Sequence, residues 1–147
     1  MKDHLEFRDI GDGAERFNMP YSAAVGVKRG ITYYLAGVTA APIYHSHPHV
    51  PSEFDDIPDD PGLQAAAAME NVLAILRELG GDITDVVEMT RFAVDLEKNQ
   101  KAIGAAMAPY FGDHRPATTS VAVVRLATDP RLILELRSVA VIDRQGG

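Results

Sequence analysis

The chain predicts an α+β fold in which two helices pack on one face of a mixed sheet. Three observations carry this. Two stretches repeat apolar residues at three- and four-residue spacing; β-branched runs surround them in the order strand, helix, strand, helix, strand, strand; and the last strand is largely apolar on both faces.

Ile31 to Val38 is β-branched and aromatic, follows Arg29-Gly30, and reads as a strand closing at Gly37. From Ala40 to Asp60 the composition turns to proline, histidine and acid. Pro42, Pro48, Pro51 and Pro58 each remove a ladder donor, so this stretch reads as a long loop of the kind that is functional or mobile. Asp60-Pro61 opens a helix, with an N-cap carboxylate and a proline at the first helical position. Leu63, Met69, Val72, Leu73, Leu76 and Leu79 form its stripe, and Gly80-Gly81 stops it. A strand follows within Ile83 to Val94. A second helical stripe runs through Ala102, Ile103, Ala106, Met107 and Tyr110, and Pro109 is expected to kink or end that helix before Phe111.

Two strands finish the chain. In Thr118 to Leu126, Thr118, Ser120, Ala122 and Val124 share one face. In Arg131 to Ile142, Leu132, Leu134, Leu136, Ala140 and Ile142 share one face and Ile133, Glu135, Arg137, Val139 and Val141 the other. The two strands are expected to lie side by side, with the small hydroxyls next to the Glu135 carboxylate. The helices cover one face of such a sheet, and a second subunit is expected on the other.

At 147 residues with 46% hydrophobic content, one domain over residues 1–147 is expected, with 40–60 as an inserted loop. A formal net charge of -7 and a pI near 5.1 speak against nucleic-acid and anionic-membrane partners and for a small molecule. There is no cysteine, which removes disulfides, thiolate metal sites and cysteine nucleophiles. Residues Met1 to Phe17 contain no apolar core of a signal peptide, so a cytoplasmic location is expected. Gly11-Asp12-Gly13 and Gly80-Gly81 do not match a phosphate loop.

Glu135 is the first candidate for chemistry. Its strand face is otherwise largely apolar, so its carboxylate is desolvated, and usable as a base or a water-positioning group, unless Arg137 neutralises it. Thr118-Thr119-Ser120 offers hydroxyls that can hold a carboxylate or a water, although threonine is also a good strand former. Tyr21 is either a site aromatic or an ordinary packed tyrosine. Arg115 either binds an acidic substrate or caps its loop. His45, His47 and His49 alternate, so an extended backbone turns all three rings to one side, where imidazoles can bind a divalent metal. Pro48 between two of them, the loop setting and the lack of a helical HExxH spacing favour a solvated or lid-forming loop instead. No metal and no cofactor is therefore assigned.

Several segments, taken in order, resemble the RidA/YjgF family: Asn18-Met19-Pro20-Tyr21-Ser22, Tyr34-Leu35-Ala36-Gly37, the helix from Gln64 to Leu76, Gly81 to Val87, Phe92 to Leu96, Tyr110-Phe111, Pro116-Ala117, and Leu134-Glu135-Leu136 with Val139-Ala140-Val141. The resemblance implies a chorismate-mutase-like fold and a homotrimer with a central barrel and sites in the clefts between subunits. It also implies hydrolysis of 2-imino or enamine acids to keto acids and ammonia. In that family an arginine after Pro-Ala grips the substrate carboxylate, and a glutamate of the last strand orients water. Here the matching glutamate is Glu135, the matching tyrosine Tyr21, and Gly37 falls in the cleft-lining loop. Thr118 stands where the arginine is expected, and a hydroxyl cannot copy a bidentate guanidinium. Ser120 stands in place of a cysteine, and Val38 in place of a glutamine. The expectation is a deaminase-like hydrolase with a diverged pocket; the alternatives are a non-catalytic binding or interaction trimer and an endoribonuclease.

Overall fold

In the computed structural model, which describes residues 2–11 and 19–145, the first long helix starts at the predicted cap. Asp60 is extended and its Oδ1 accepts the Leu63 N–H at 2.8 Å, while Pro61 takes a position whose donor is not needed. Helix α1 (Pro61–Glu78) is closed by Gly80, at a φ of 82°. Gly81 N–H reaches Leu76 O at 2.8 Å and Gly80 N–H reaches Arg77 O at 3.0 Å, which satisfies two terminal carbonyls. Ala65, Ala68, Met69, Val72 and Leu76 recur at helical spacing between these ends, and all are buried.

Helix α2 (Leu96–Phe111) starts earlier than its apolar stripe suggests and runs through Pro109. Of the two expected outcomes, a kink or an end, the end does not occur. Proline removes only one donor from a final turn that packing already holds: Met107 is buried in the core, and Tyr110 Oη donates to Glu70 of α1 at 3.1 Å.

Two short strands, β1 (Leu5–Arg8) and β2 (Ala24–Val27), form an antiparallel pair of their own. The four-stranded sheet contains β3 (Ile31–Tyr34), β4 (Val86–Val94), β5 (Ala117–Val123) and β6 (Leu134–Ile142), in the order β3-β6-β4-β5. The β4–β5 pair is parallel and the others are antiparallel, so the sheet is mixed. Leu134, Leu136 and Ala140 of β6 join Met89, Ala93, Leu35, Val38 and both helices in the main core.

The opposite face has two covers, both from the same chain. At one end Leu5 of β1 packs on Val87, Val139 and Val141. At the other, Phe54 of the proline-rich loop packs with Ala41, Leu126 and Leu132 against Phe92, Val94 and Val123. The second apolar face of the last strand is thus met first by intrachain elements, where the sequence suggests another subunit. Leu132 also departs from expectation. It precedes β6 and turns to the Phe54 cluster instead of sharing the Leu134 face.

The loop over residues 40–60 is firmly held. Asn71 Nδ2 donates to Thr39 O and Ala41 O at 2.8 and 2.9 Å, and Arg131 donates to Asp55 Oδ1 and Pro51 O, each at 2.8 Å. Pro51–Phe54 forms a 3-10 turn, and the His47–Pro48 peptide is cis. One fully buried amide, Gln64, joins three segments. Its Nε2 donates to Pro58 O (3.0 Å) and Arg131 O (2.9 Å), and its Oε1 accepts the Ile133 N–H at 2.8 Å. Among the described residues no helix is long and apolar enough to cross a membrane.

Replacing Gln64 by leucine keeps the volume and strands these backbone groups without partners. A loss of about 3 kcal/mol in urea unfolding is expected, the scale of several buried groups left unsatisfied. A change within about 0.5 kcal/mol, the range of ordinary surface substitutions, would remove the amide from its joining role.

Candidate functional site

Glu135 lies at an odd position of β6, opposite Phe92 of β4, and so points away from the helices. Its carboxylate rests against the backbone of Gly37: a Cβ added there would meet Glu135 Oε2 at 2.8 Å and Cδ at 3.0 Å. A local bulge creates this seat. Leu35 N–H bonds Ser138 O at 3.0 Å and Val38 exchanges bonds with Leu136 at 2.9 and 2.8 Å, so Ala36 and Gly37 together stand opposite the single residue Arg137. Leu35 and Val38 face the core, and Gly37 is left against the carboxylate.

Arg137 does not neutralise this acid. It lies 3.7 Å from Glu88, with both side chains about half exposed. No described residue hydrogen-bonds or ion-pairs with the Glu135 carboxylate, and burial pushes its pKa above the usual carboxylate range.

The hydroxyl run is not beside Glu135. Strand β4 lies between β5 and β6, and register separates the side chains further. Thr118 pairs with Met89 and Ser120 with Arg91, while Arg91 in turn pairs with Leu136, a core residue; Thr118, Ser120 and Arg91 therefore share the helix-facing side. Thr119 and Val121, paired with Thr90 and Phe92, share the Glu135 side. The sequence hides this, because strand order is set by pairing between distant segments.

Arg91 is a residue the sequence reading missed. Its Nε is buried without a hydrogen-bond partner, no described residue pairs with its guanidinium, and desolvation lowers its pKa. The signal was present: in the run Val86–Val94, Arg91 has the parity of Met89 and Ala93, both core residues.

Ser22 N–H reaches Pro116 O at 3.4 Å, which places partly exposed Tyr21 next to the start of β5. Asn18, from the same segment, and Asp12 and Gly13 lie outside the described residues. Arg115 Nη1 donates to Gly112 O and, at 3.1 Å, to His114 O, so it caps the loop that follows α2. It also lines a cavity of about 420 Å³ with Phe7, Ser22, Phe111 and His114; Glu135, Thr118 and Ser120 do not line it. The three loop histidines come together, with ring centroids 4.6 to 5.2 Å apart.

A model of the family described as Endoribonuclease L-PSP matches residues 14–142. A RutC family protein of Pyrococcus abyssi is 31% identical over 121 residues, covering 82% of this chain and 85% of that protein. A 2-iminobutanoate/2-iminopropanoate deaminase of Escherichia coli is 32% identical over 89 residues, covering 58% of this chain and 67% of that enzyme. Among solved structures, Escherichia coli TdcF with bound serine superimposes with a TM-score of 0.62 at 29% identity, covering 85% of this chain and 90% of that one.

The pKa of Glu135 also predicts a stability trend. Because folding raises it, the stabilisation from holding the proton is complete below the unfolded value of about 4.3 and is lost as pH rises through the folded value. A neutral amide avoids the desolvated charge. Glu135→Gln is therefore expected to raise Tm at pH 7 to 8 by about 1–2 °C, a few tenths of a kcal/mol for a partly solvated group, with the difference vanishing near pH 4. A pH-independent difference in thermal melts would contradict the desolvation.

Proposed function

This chain belongs to the Endoribonuclease L-PSP family, the RidA/YjgF family its segments resemble, and on that premise we propose that it hydrolyses an imine or enamine acid to a keto compound and ammonia. At about 30% identity, relatives named as deaminases support a deaminase role at the level of the family. The observation that carries the reading for this chain is Glu135, a half-buried carboxylate with no ion-pair partner among the described residues, seated on Gly37 with a raised pKa. Desolvation makes such a carboxylate a stronger base than an exposed one, suited to taking a proton from water.

In the proposed reaction, the Glu135 carboxylate takes a proton from water as the water oxygen bonds to the C=N carbon of the protonated imine. The resulting carbinolamine carries both hydroxyl and amine. The proton held by Glu135 passes to nitrogen, the C–N bond breaks, ammonia leaves, and the hydroxyl proton is released as the C=O bond forms. An enamine substrate enters the same path after tautomerising to its imine.

The substrate carboxylate needs a cation, and Thr118 cannot supply one. We assign that role to Arg91, next to Ser120 on the helix-facing side of β4 and diagonal to Thr118. Its desolvated guanidinium, which no described residue pairs with, has bonds to give to an anion. Thr118, Ser120 and Tyr21 would shape this end of the site. Because Glu135 and Arg91 occupy opposite faces within one chain, the complete site would form in the homotrimer, with the β5 edge of one copy meeting the Gly37–Glu135 seat of another. The ribonuclease chemistry named in the family description fits poorly with a net charge of -7.

Ammonia release is measured from 2-imino acids generated in situ by an amino-acid oxidase. Glu135→Ala is expected to lower kcat by about 10²–10⁴-fold, the scale of a lost acid–base group. An unchanged rate would exclude the mechanism. Arg91→Leu is expected to raise KM at least about tenfold, since it removes a charge-assisted bond. Co-expressing the two variants is expected to restore activity, because a mixed oligomer contains sites with both residues intact. Ligand-dependent stabilisation without any turnover in the wild type would instead identify a non-catalytic binding protein.

A further inference from the structure

We propose that His45, His47 and His49 form a three-imidazole binding site for a divalent transition-metal ion. One ring nitrogen from each histidine lies within 4.8 Å of those of the other two. A tetrahedral zinc with Zn–N bonds of about 2.0–2.1 Å needs nitrogens about 3.3 Å apart, so ring rotations moving each nitrogen about an ångström complete the set. Pro48 does not separate the ligands, since the His47 and His49 rings are 4.6 Å apart.

The surroundings keep these rings together. His45 Nδ1 lies 2.9 Å from Pro42 O; a carbonyl only accepts, so Nδ1 carries the proton and the Nε2 lone pair is free for a metal. Behind the rings stands Phe54, 1% exposed, its ring nearly perpendicular to those of His45 and His49 with centroids 5.3 and 6.0 Å away. Glu53 is fixed by the N–H and hydroxyl of Ser46 and lies within electrostatic reach of His45 and His49, where its charge offsets that of a cation. The loop beneath is anchored by Asn71 and Arg131. A backbone carbonyl, a buried aromatic and a carboxylate thus support three ligands.

The chain's other histidines are built differently. His4 and His114 each place Nε2 on a backbone carbonyl, Val141 O at 2.8 Å and Val86 O at 2.7 Å, and neither belongs to a cluster of possible ligands among the described residues. Three neutral nitrogens suit zinc, nickel or copper rather than calcium or magnesium. Three protein ligands leave a coordination position for water or an anion, and the exposed His47 marks the open side. Phe54 packs with Phe92, the strand partner of Glu135, so a bound ion lies on the Glu135 side of the sheet.

The test uses the full chain without an affinity tag, treated with chelator and dialysed. Zinc titration by calorimetry is expected to show one ion per chain with micromolar or tighter affinity, and cobalt to give the visible absorption of a low-symmetry tetrahedral site. His47→Ala and His49→Gln are each expected to weaken zinc binding at least about tenfold. Thermal melts without metal should be unchanged for His47→Ala, which alters an exposed side chain, and zinc should raise the Tm of the wild type only. Less than one zinc per chain at 100 µM metal, or loop variants that bind zinc as the wild type does, would overturn the proposal.

Discussion

The alternation of β6 is the constraint on which the other features depend. Leu134, Leu136 and Ala140 must face the helices, because they complete the core built by Met69, Val72 and Leu76 of α1. A period of two then forces Glu135, Arg137, Val139 and Val141 to the other side. A shift by one residue would bury two charged groups and expose three core residues, a change far larger than the marginal stability of a domain this size. The same parity sets the neighbouring strands. Pairing with β6 sends Arg91 to the helix side and Phe92 to the Glu135 side, and pairing with β4 distributes Thr118, Thr119 and Ser120 between them.

Polar satisfaction explains why the loop over residues 40–60 is part of the fold despite its composition. Prolines deprive it of ladder bonds, so its carbonyls are met by side chains from elsewhere: Gln64 and Asn71 from α1, and Arg131 from the segment before β6. Phe54 anchors the same loop by burial, worth about 1.5–3 kcal/mol for a side chain of this kind. The result is a rigid support for three histidines on the side of the sheet that holds Glu135.

Against this pattern the exceptions carry chemical meaning. Among the described residues, the buried side-chain polar atoms without partners are Arg91 Nε and Ser138 Oγ, both on the helix-facing side of the central strands. A hydroxyl left unpaired costs modestly; a guanidinium atom left unpaired in a desolvated setting costs more and is ready to bind an anion. Glu135 is the complementary exception, an acid raised in pKa on a face where the nearby Arg137 has turned to Glu88. One acid and one cation, each without a counter-ion among the described residues, lie on opposite faces of one sheet. The proposed reaction therefore calls on a second copy of the chain to bring the two together.

Much of the secondary structure was legible in the sequence because its causes are local. The Asp60-Pro61 start, the Gly80-Gly81 stop and the parity of Leu134 to Ile142 depend on capping, chirality and side-chain alternation within a few residues. The resemblance that marked Tyr21, Gly37, Thr118 and Glu135 was likewise carried by short motifs. Strands β1 and β2 were not legible: each has four residues of mixed composition and is stabilised by pairing and by Leu5 packing on Val139 and Val141. The persistence of α2 past Pro109 was hidden for the same reason, since distant packing outweighs a local breaker. Local sequence alone located the two long helices and the four strands of the main sheet, and showed which residue types are available for chemistry. The separation of the hydroxyls from Glu135 by β4, the place of Arg91 beside them with no pairing partner among the described residues, and the convergence of three histidines came only with the folded chain, because strand order, register and loop docking arise from contacts between residues far apart in the chain.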